Sequence, residues 1–193
     1  MQIRPEIKEK IVLALDVDTP EQAKQLITEL KDYVGIFKVG LQMYTGNGYE
    51  IFNFMKEQNI KFFFDVKLHD IPNTVAKASE NIIRNGASFF NLHTTGGEEM
   101  MRMAQEAARK TAKELGKENP VILGVTVLTS ISEESLQKEL KVPYKPNEYA
   151  IHLALMAKNA GLDGVVASGW EAKKIKQVCG KDFKVLCPGI RPD

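Results

Sequence analysis

Lys61–Thr74, KFFFDVKLHDIPNT, is the stretch around which the rest of the chain falls into place. Phe62, Phe63 and Phe64 make a β-prone apolar run, and Asp65, Lys67 and Asp70 follow it closely. Side chains alternate faces along a strand, so Asp65 and Lys67 share one face and Val66 takes the other. Pro72 has no N–H for a ladder and pushes Ile71 away from helical geometry. The strand therefore ends before Pro72, with Asp70 in the following loop. A solvated edge strand could carry the same charges in weak surface pairs. The three phenylalanines speak instead for a buried strand with an acid–base–acid cluster at its carboxyl end.

The remaining sequence repeats this pattern. Lys10–Val17 reads as a buried strand ending near Asp16, and Thr19 with Pro20 opens a helix carrying Ala23, Leu26, Ile27 and Leu30 on one face. Ile36–Gly40 is a second strand holding Lys38, followed by a helix over Gly48–Gln58. After the third strand, Asn73 or Thr74 is expected to cap a helix running to Asn85, with Gly86 as its stop. Ser88–Thr94 is strand four, with a helix over Glu98–Leu115; Val121–Leu128 is strand five. A polar region, Thr129–Asn147, follows with a short helix at Glu133–Leu140. It suits either a mobile lid or an ordered surface excursion. A helix over Asn147–Asn159, a strand at Gly164–Ser168, a helix over Trp170–Val178 and a strand at Lys184–Cys187 complete the series.

Strands alternating with helices of this length imply βαβ units and a parallel sheet. Asp16, Lys38, Asp65, Lys67, His93, Thr129, Ser168 and Arg191 all fall at or just past carboxyl ends of strands. In a barrel those ends meet at one mouth; in a doubly wound sheet they spread along an edge. No strand leads into GxGxxG or GxxxxGK[ST], so a Rossmann or P-loop nucleotide site has no sequence support. The expected fold is therefore a TIM (β/α)8 barrel, a single domain over residues 1–193. Seven strands are legible and the sequence ends in the loop after the seventh. The eighth βα unit is expected to lie in a longer chain, since an open barrel leaves two edges unpaired.

Composition narrows the function classes. The chain has 193 residues, 44% hydrophobic and 26% charged, which fits a soluble globular domain. Its 26 basic and 25 acidic residues are interspersed, so no nucleic-acid footprint is expected. Cys179 and Cys187 form no CxxC pair and read as reduced, packed thiols. The N-terminal MQIRPEIKEK has no signal-peptide core, and no apolar run reaches transmembrane length. A cytoplasmic protein without membrane partners is expected.

Lys38, Asp65, Lys67 and Asp70 would gather at the barrel mouth as charges of alternating sign. An ammonium between carboxylates keeps its proton, so Lys67 suits proton donation or anion stabilisation better than Schiff-base chemistry. This set resembles the bacterial-type orotidine 5′-phosphate decarboxylase family. The family's DxKxxD signature stands here as Asp65-Val66-Lys67-Leu68-His69-Asp70, continued by Ile71-Pro72-Asn73-Thr74. LALD at Leu13–Asp16, FKVG at Phe37–Gly40, VTVLTS at Val125–Ser130 and PGIR at Pro188–Arg191 match in order.

The resemblance implies a lyase: a homodimeric barrel converting orotidine 5′-phosphate to UMP and CO₂ in pyrimidine biosynthesis, with no cofactor and no metal. It implies that Asp65 and Lys67 face the reacting carboxylate, and that Lys67 stabilises and protonates a C6 carbanion. Asp16 and Lys38 would bind ribose hydroxyls, with Lys38 also in the charged network. Asp70, Ile71 and Thr74 would reach the partner subunit's site. Thr129 would lie near the pyrimidine and Arg191 in the loop that closes on the phosphate. The family's other phosphate-gripping residues fall beyond Asp193.

Two alternatives stand beside this expectation. Mg²⁺-dependent sugar-phosphate decarboxylases and hexulose-phosphate synthases share DxKxxD, but an acidic metal ligand is expected where this chain has Lys38. An inactive barrel that only binds nucleotide is the other. His93 is read as a pocket residue and His152 as structural, not as metal ligands.

Overall fold

Seven apolar runs become seven strands: β1 (Val12–Ala14), β2 (Ile36–Gly40), β3 (Phe62–Leu68), β4 (Phe89–His93), β5 (Val121–Val125), β6 (Gly164–Val166) and β7 (Lys184–Leu186). The structure, a computed structural model, describes residues 4–190. All strand pairs are parallel, and the sheet order is β1-β2-β3-β4-β5-β6-β7. A doubly wound sheet reverses its strand order at a switch point, and this one never does. It winds in one direction, as a barrel does.

The sheet also curls. Ile36, Phe63 and Leu123 form a buried cluster with Val12, Phe89, Val121, Val166 and Leu186 packed on it, so all seven strands feed one interior. Below that cluster β1 and β7 line the same cavity, of about 570 Å³, through Val12 and Leu186. The fold is the curled, parallel arrangement of a TIM barrel, with seven strands among the described residues.

Helices cover the outer face: α2 (Pro20–Leu30), α3 (Leu41–Glu57), α4 (Pro72–Arg84), α5 (Glu98–Glu114), α6 (Pro146–Asn159) and α7 (Gly169–Cys179), with a short α1 (Pro5–Lys8) before β1. The phenylalanine run shows how one strand serves two layers. Phe63 points to the barrel interior, whereas Phe62 and Phe64 point to α3. There Phe52 stacks on Phe62 at 4.8 Å and meets Phe64 edge-on at 5.0 Å between ring centroids. Burying each such ring contributes roughly 1.5–3 kcal/mol, so β3 is anchored before its charged end begins.

Local chemistry moved several boundaries from their expected positions. The Thr19 side chain and Gln22 form a full capping box at α2, with Pro20 at the first turn as expected. Helix α3 begins at Leu41, seven residues before the expected Gly48, and kinks at Asn47 (φ −144°, ψ 33°). The glycines at 46 and 48 disguise that first half, because glycine weakens a helix pattern. Neither Asn73 nor Thr74 caps α4. Its N-cap is Ile71, because Pro72 occupies the first helical position. Within Thr129–Asn147 the short helix is a π-helical turn, Ser135–Glu139, held down by the buried Leu136. Helix α1 and the shorter β1 and β5 were not foreseen.

Candidate active site

Four adjacent strands deliver side chains to the carboxyl end of the sheet. Lys38 comes from β2, Asp65 and Lys67 from β3, and Asn91 and His93 from β4, while Asp16 follows β1 by two residues. The β1–β2 and β2–β3 registers pair Lys38 with Ala14 and Phe63 and pair Asp65 with Gly40, so Asp65 stands two residues further toward the carboxyl end than Lys38.

Asp65 is the hub. Its Oδ1 accepts from Lys67 Nζ at 2.7 Å and from Asn91 Nδ2 at 2.7 Å. Its Oδ2 lies 3.4 Å from Lys38 Nζ. Lys38 Nζ in turn donates to Asp16 Oδ1 at 3.2 Å. The side chain of Asp65 is 13% exposed, against 58% for Asp16, so the network runs from the buried centre to the rim. Room for the Lys38 ammonium comes from Gly40: a Cβ there would stand 3.0 Å from Nζ. Burial pushes the Asp65 carboxyl up, but hydrogen bonds from Lys67 and Asn91 and the charges of Lys67 and Lys38 outweigh it. The carboxyl is held below the usual aspartate range, ionised at neutral pH.

The β3–β4 pairing is irregular at this point. Phe64 pairs with Phe90 and Leu68 with Leu92, so three residues of β3 oppose Asn91 alone. Lys67 sits within this bulge at φ +50°, a left-handed conformation that costs a non-glycine residue on the order of 1 kcal/mol. Its backbone N–H donates to Asn91 Oδ1 at 2.8 Å. Asp65 and Lys67 still meet, although Lys67 has left the extended conformation.

His93 is half-buried beside this cluster, its ring 5.5 Å from that of His69. Burial first, and then the charges of His69 and Lys67, push its imidazole below the usual range. It is therefore neutral at pH 7 and adds no positive charge. That fits a pocket residue.

Other expected residues lie apart from the hub. Asp70 is exposed and accepts from the Ile71 N–H at 2.6 Å, and it forms no ion pair among the described residues. The alternating cluster within one chain is thus Asp16, Lys38, Asp65 and Lys67; Asp70 does not join it, because the turn into Pro72 directs it outward. Ile71 is 67% exposed and Thr74 is exposed in the first turn of α4. Thr129 is exposed past β5. Arg191 lies outside the described residues. Asn91 was not expected: in SFFNLHT it reads as an ordinary strand residue. Its one signal was a polar amide among apolar neighbours on the strand beside Asp65 and Lys67.

A curled parallel sheet with a charged cluster at the carboxyl ends of its strands defines a (β/α)-barrel enzyme, since that mouth is where such barrels build their active sites. The particular family follows from comparison with known proteins. The family model described as "Orotidine 5'-phosphate decarboxylase / HUMPS family" matches residues 9–193, and the chain belongs to that family. The orotidine 5′-phosphate decarboxylase of Moorella thermoacetica is 42% identical over 190 residues, spanning 98% of this chain and 75% of that protein. That of Syntrophomonas wolfei is 45% identical over 186 residues, spanning 96% of this chain and 78% of its own length. Among solved structures, orotidine 5′-phosphate decarboxylase from Lactobacillus acidophilus superposes with a TM-score of 0.87 at 35% identity, covering 94% of this chain and 81% of that one. An uncharacterized conserved protein from Geobacillus kaustophilus superposes with a TM-score of 0.86 at 36% identity, covering 92% and 82%.

Proposed function

We propose that this chain is an orotidine 5′-phosphate decarboxylase, a carboxy-lyase that converts orotidine 5′-phosphate to UMP and CO₂ without a cofactor. The carrying observation is the Asp16–Lys38–Asp65–Lys67 relay, two ammonium groups interleaved with two carboxylates at one end of three neighbouring strands. Relatives bearing that activity by name span nearly the whole chain.

In this reading the residues act as follows. The substrate carboxylate on C6 of the pyrimidine lies against Asp65, whose ionised oxygen repels it. The C6–carboxyl bond breaks, CO₂ leaves, and the electron pair stays on C6. The Lys67 ammonium stabilises that carbanion and then transfers a proton to C6, regaining one from solvent. An ammonium already oriented by Asp65 needs no reorganisation as the charge develops. Asp16 and Lys38 hold ribose hydroxyls, and Thr129 lies near the pyrimidine. Arg191, outside the described residues, belongs to the loop that closes toward the phosphate. Contacts remote from C6 supply binding energy that is realised at the transition state.

The active unit in this reading is a cytoplasmic homodimer of single-domain barrels, with Asp70, Ile71 and Thr74 completing the partner's site. The outward placement of all three residues at the start of α4 supports it. Among the described residues no helix is long and apolar enough to cross a membrane.

A Mg²⁺-dependent sugar-phosphate reaction is the less favoured reading, because Lys38 puts a positive charge 3.4 Å from Asp65, the carboxylate a cation would need. The test is loss of orotidine 5′-phosphate absorbance on mixing with the purified protein, with and without EDTA. Turnover that survives EDTA is expected. No turnover at micromolar protein, or loss in EDTA with rescue by Mg²⁺, overturns the proposal.

A further inference from the structure

Asn91 is 1% exposed, and both polar atoms of its side chain are engaged on β3. Its Nδ2 donates to Asp65 Oδ1 at 2.7 Å, and its Oδ1 accepts from the Lys67 backbone N–H at 2.8 Å. One amide therefore grips two residues that flank Val66. It does so where the β3–β4 ladder is interrupted, between the Phe64–Phe90 and Leu68–Leu92 pairs. Without it, the Lys67 N–H would lose its hydrogen bond in a part-buried position, and such orphan donors are rare and costly. Lys67 also holds φ +50°, which surrounding structure must impose on a lysine. The amide from the neighbouring strand is the contact that can impose it.

We infer that Asn91 is a positioning residue of this site, its amide standing in for the missing ladder bonds and fixing the Lys67 ammonium and the Asp65 carboxylate relative to each other. This rests on the decarboxylase reading above. An asparagine is suited to it because the carboxamide offers an acceptor and a donor on one planar group. Aspartate offers no donor for Asp65, and alanine offers neither. Asn91 acts through Asp65 and Lys67.

The role has a pH signature. The charged groups facing Asp65 are Lys67 on its own strand and Lys38 on β2, with Asp16 behind Lys38 and His93, held neutral, beside Lys67. Asn91 is the neutral donor among them, and its bond helps hold the carboxyl ionised. Removing it leaves the carboxyl buried with fewer donors, so protonation occurs at higher pH.

The experiment measures kcat and KM of wild type, Asn91→Ala and Asn91→Asp for orotidine 5′-phosphate across acid pH. Expected for Asn91→Ala is a fall in kcat of about 10- to 100-fold, the scale of a misplaced catalytic group. KM changes less, and the acid limb of kcat/KM moves to higher pH. Asn91→Asp keeps an acceptor for the Lys67 N–H but sets a second carboxylate against Asp65, so its acid limb moves further up. A folded Asn91→Ala whose kcat and acid limb match wild type, with only a lowered Tm, overturns the inference. Should neither variant fold, the wild-type protein decides by ¹⁵N NMR: the Asn91 side-chain amide signals must shift as Asp65 titrates, and signals indifferent to that titration overturn it. An inactive wild type would instead sink the decarboxylase reading, which the same assay reports separately.

Discussion

Lys67 Nζ lies 2.7 Å from Asp65 Oδ1, although the Lys67 backbone between them has left the extended conformation for φ +50°. In regular β geometry the two residues would share a face and splay along it. The bulge adds a bend that brings the ammonium onto the carboxylate, and the strain is retained where the chemistry needs it.

That strain can be measured separately from the chemistry. Lys67→Ala and Lys67→Gly should both lose turnover by at least roughly a thousandfold, since the proton donor is gone. Glycine adopts a positive φ freely, whereas alanine there retains a cost of about 1–2 kcal/mol. Lys67→Gly should therefore unfold at higher urea than Lys67→Ala. Equal midpoints would mean that the left-handed turn at 67 stores nothing.

Asp65 should leave a mark on stability against pH. Its carboxyl is lowered in the folded chain, where hydrogen bonds and lysine charges overcome the opposing effect of burial. A group depressed on folding stabilises above its unfolded value and loses that contribution as pH falls through its folded value. Wild type should be more stable than Asp65→Asn at pH 7. The gap should begin to close below about pH 4, the ordinary aspartate range, and narrow further in stronger acid. Urea midpoints at several pH values measure it; a gap independent of pH would show that Asp65 is not held ionised by its neighbours.

How far such a site is legible depends on which residues announce themselves. Asp16, Lys38, Asp65 and Lys67 are charges at the ends of apolar strands, and burial of charge is costly enough that the pattern stands out. Asn91 is neutral and sits inside FFNLH, where hydrophobic periodicity continues past it. Its importance lies in a bulge on the neighbouring strand, which no local pattern encodes. The left-handed backbone at Lys67 is equally silent, because lysine carries none of the conformational signal that glycine would. The early start of α3 was hidden by Gly46 and Gly48, helix-weakening residues tolerated there beside a kink. At α4 the signal was present: Pro72 marks the first helical position, which makes Ile71 the cap and leaves Asn73 and Thr74 inside the helix.

Gly40 tests how tightly the second lysine is held. Its φ of −92° suits any residue, so Gly40→Ala carries no left-handed strain. The new methyl would stand 3.0 Å from Lys38 Nζ and 3.6 Å from Asp16 Oδ1, displacing the flexible end of Lys38 rather than backbone. Stability should change by under about 1 kcal/mol. Turnover should fall by about tenfold or more, as expected when a group in the charged network shifts. Unchanged kcat and KM would place Lys38 outside the working site.

The outward turn of Asp70 is tested by mixing two inactive variants. Suppose Asp70 completes the partner's site while Lys67 serves its own. In a mixed dimer of Lys67→Ala and Asp70→Ala chains, one site then receives both lesions and the other receives none. Random reassociation gives roughly half mixed dimers, so roughly a quarter of wild-type turnover should return in a two-fold symmetric assembly. If Asp70 instead acted within its own chain, every site in the mixture would carry one lesion and no activity would return. Denaturing the two variants together, refolding them and assaying orotidine 5′-phosphate consumption distinguishes the two cases. Recovered turnover would also require that the dimer, and not the single barrel, is the active unit.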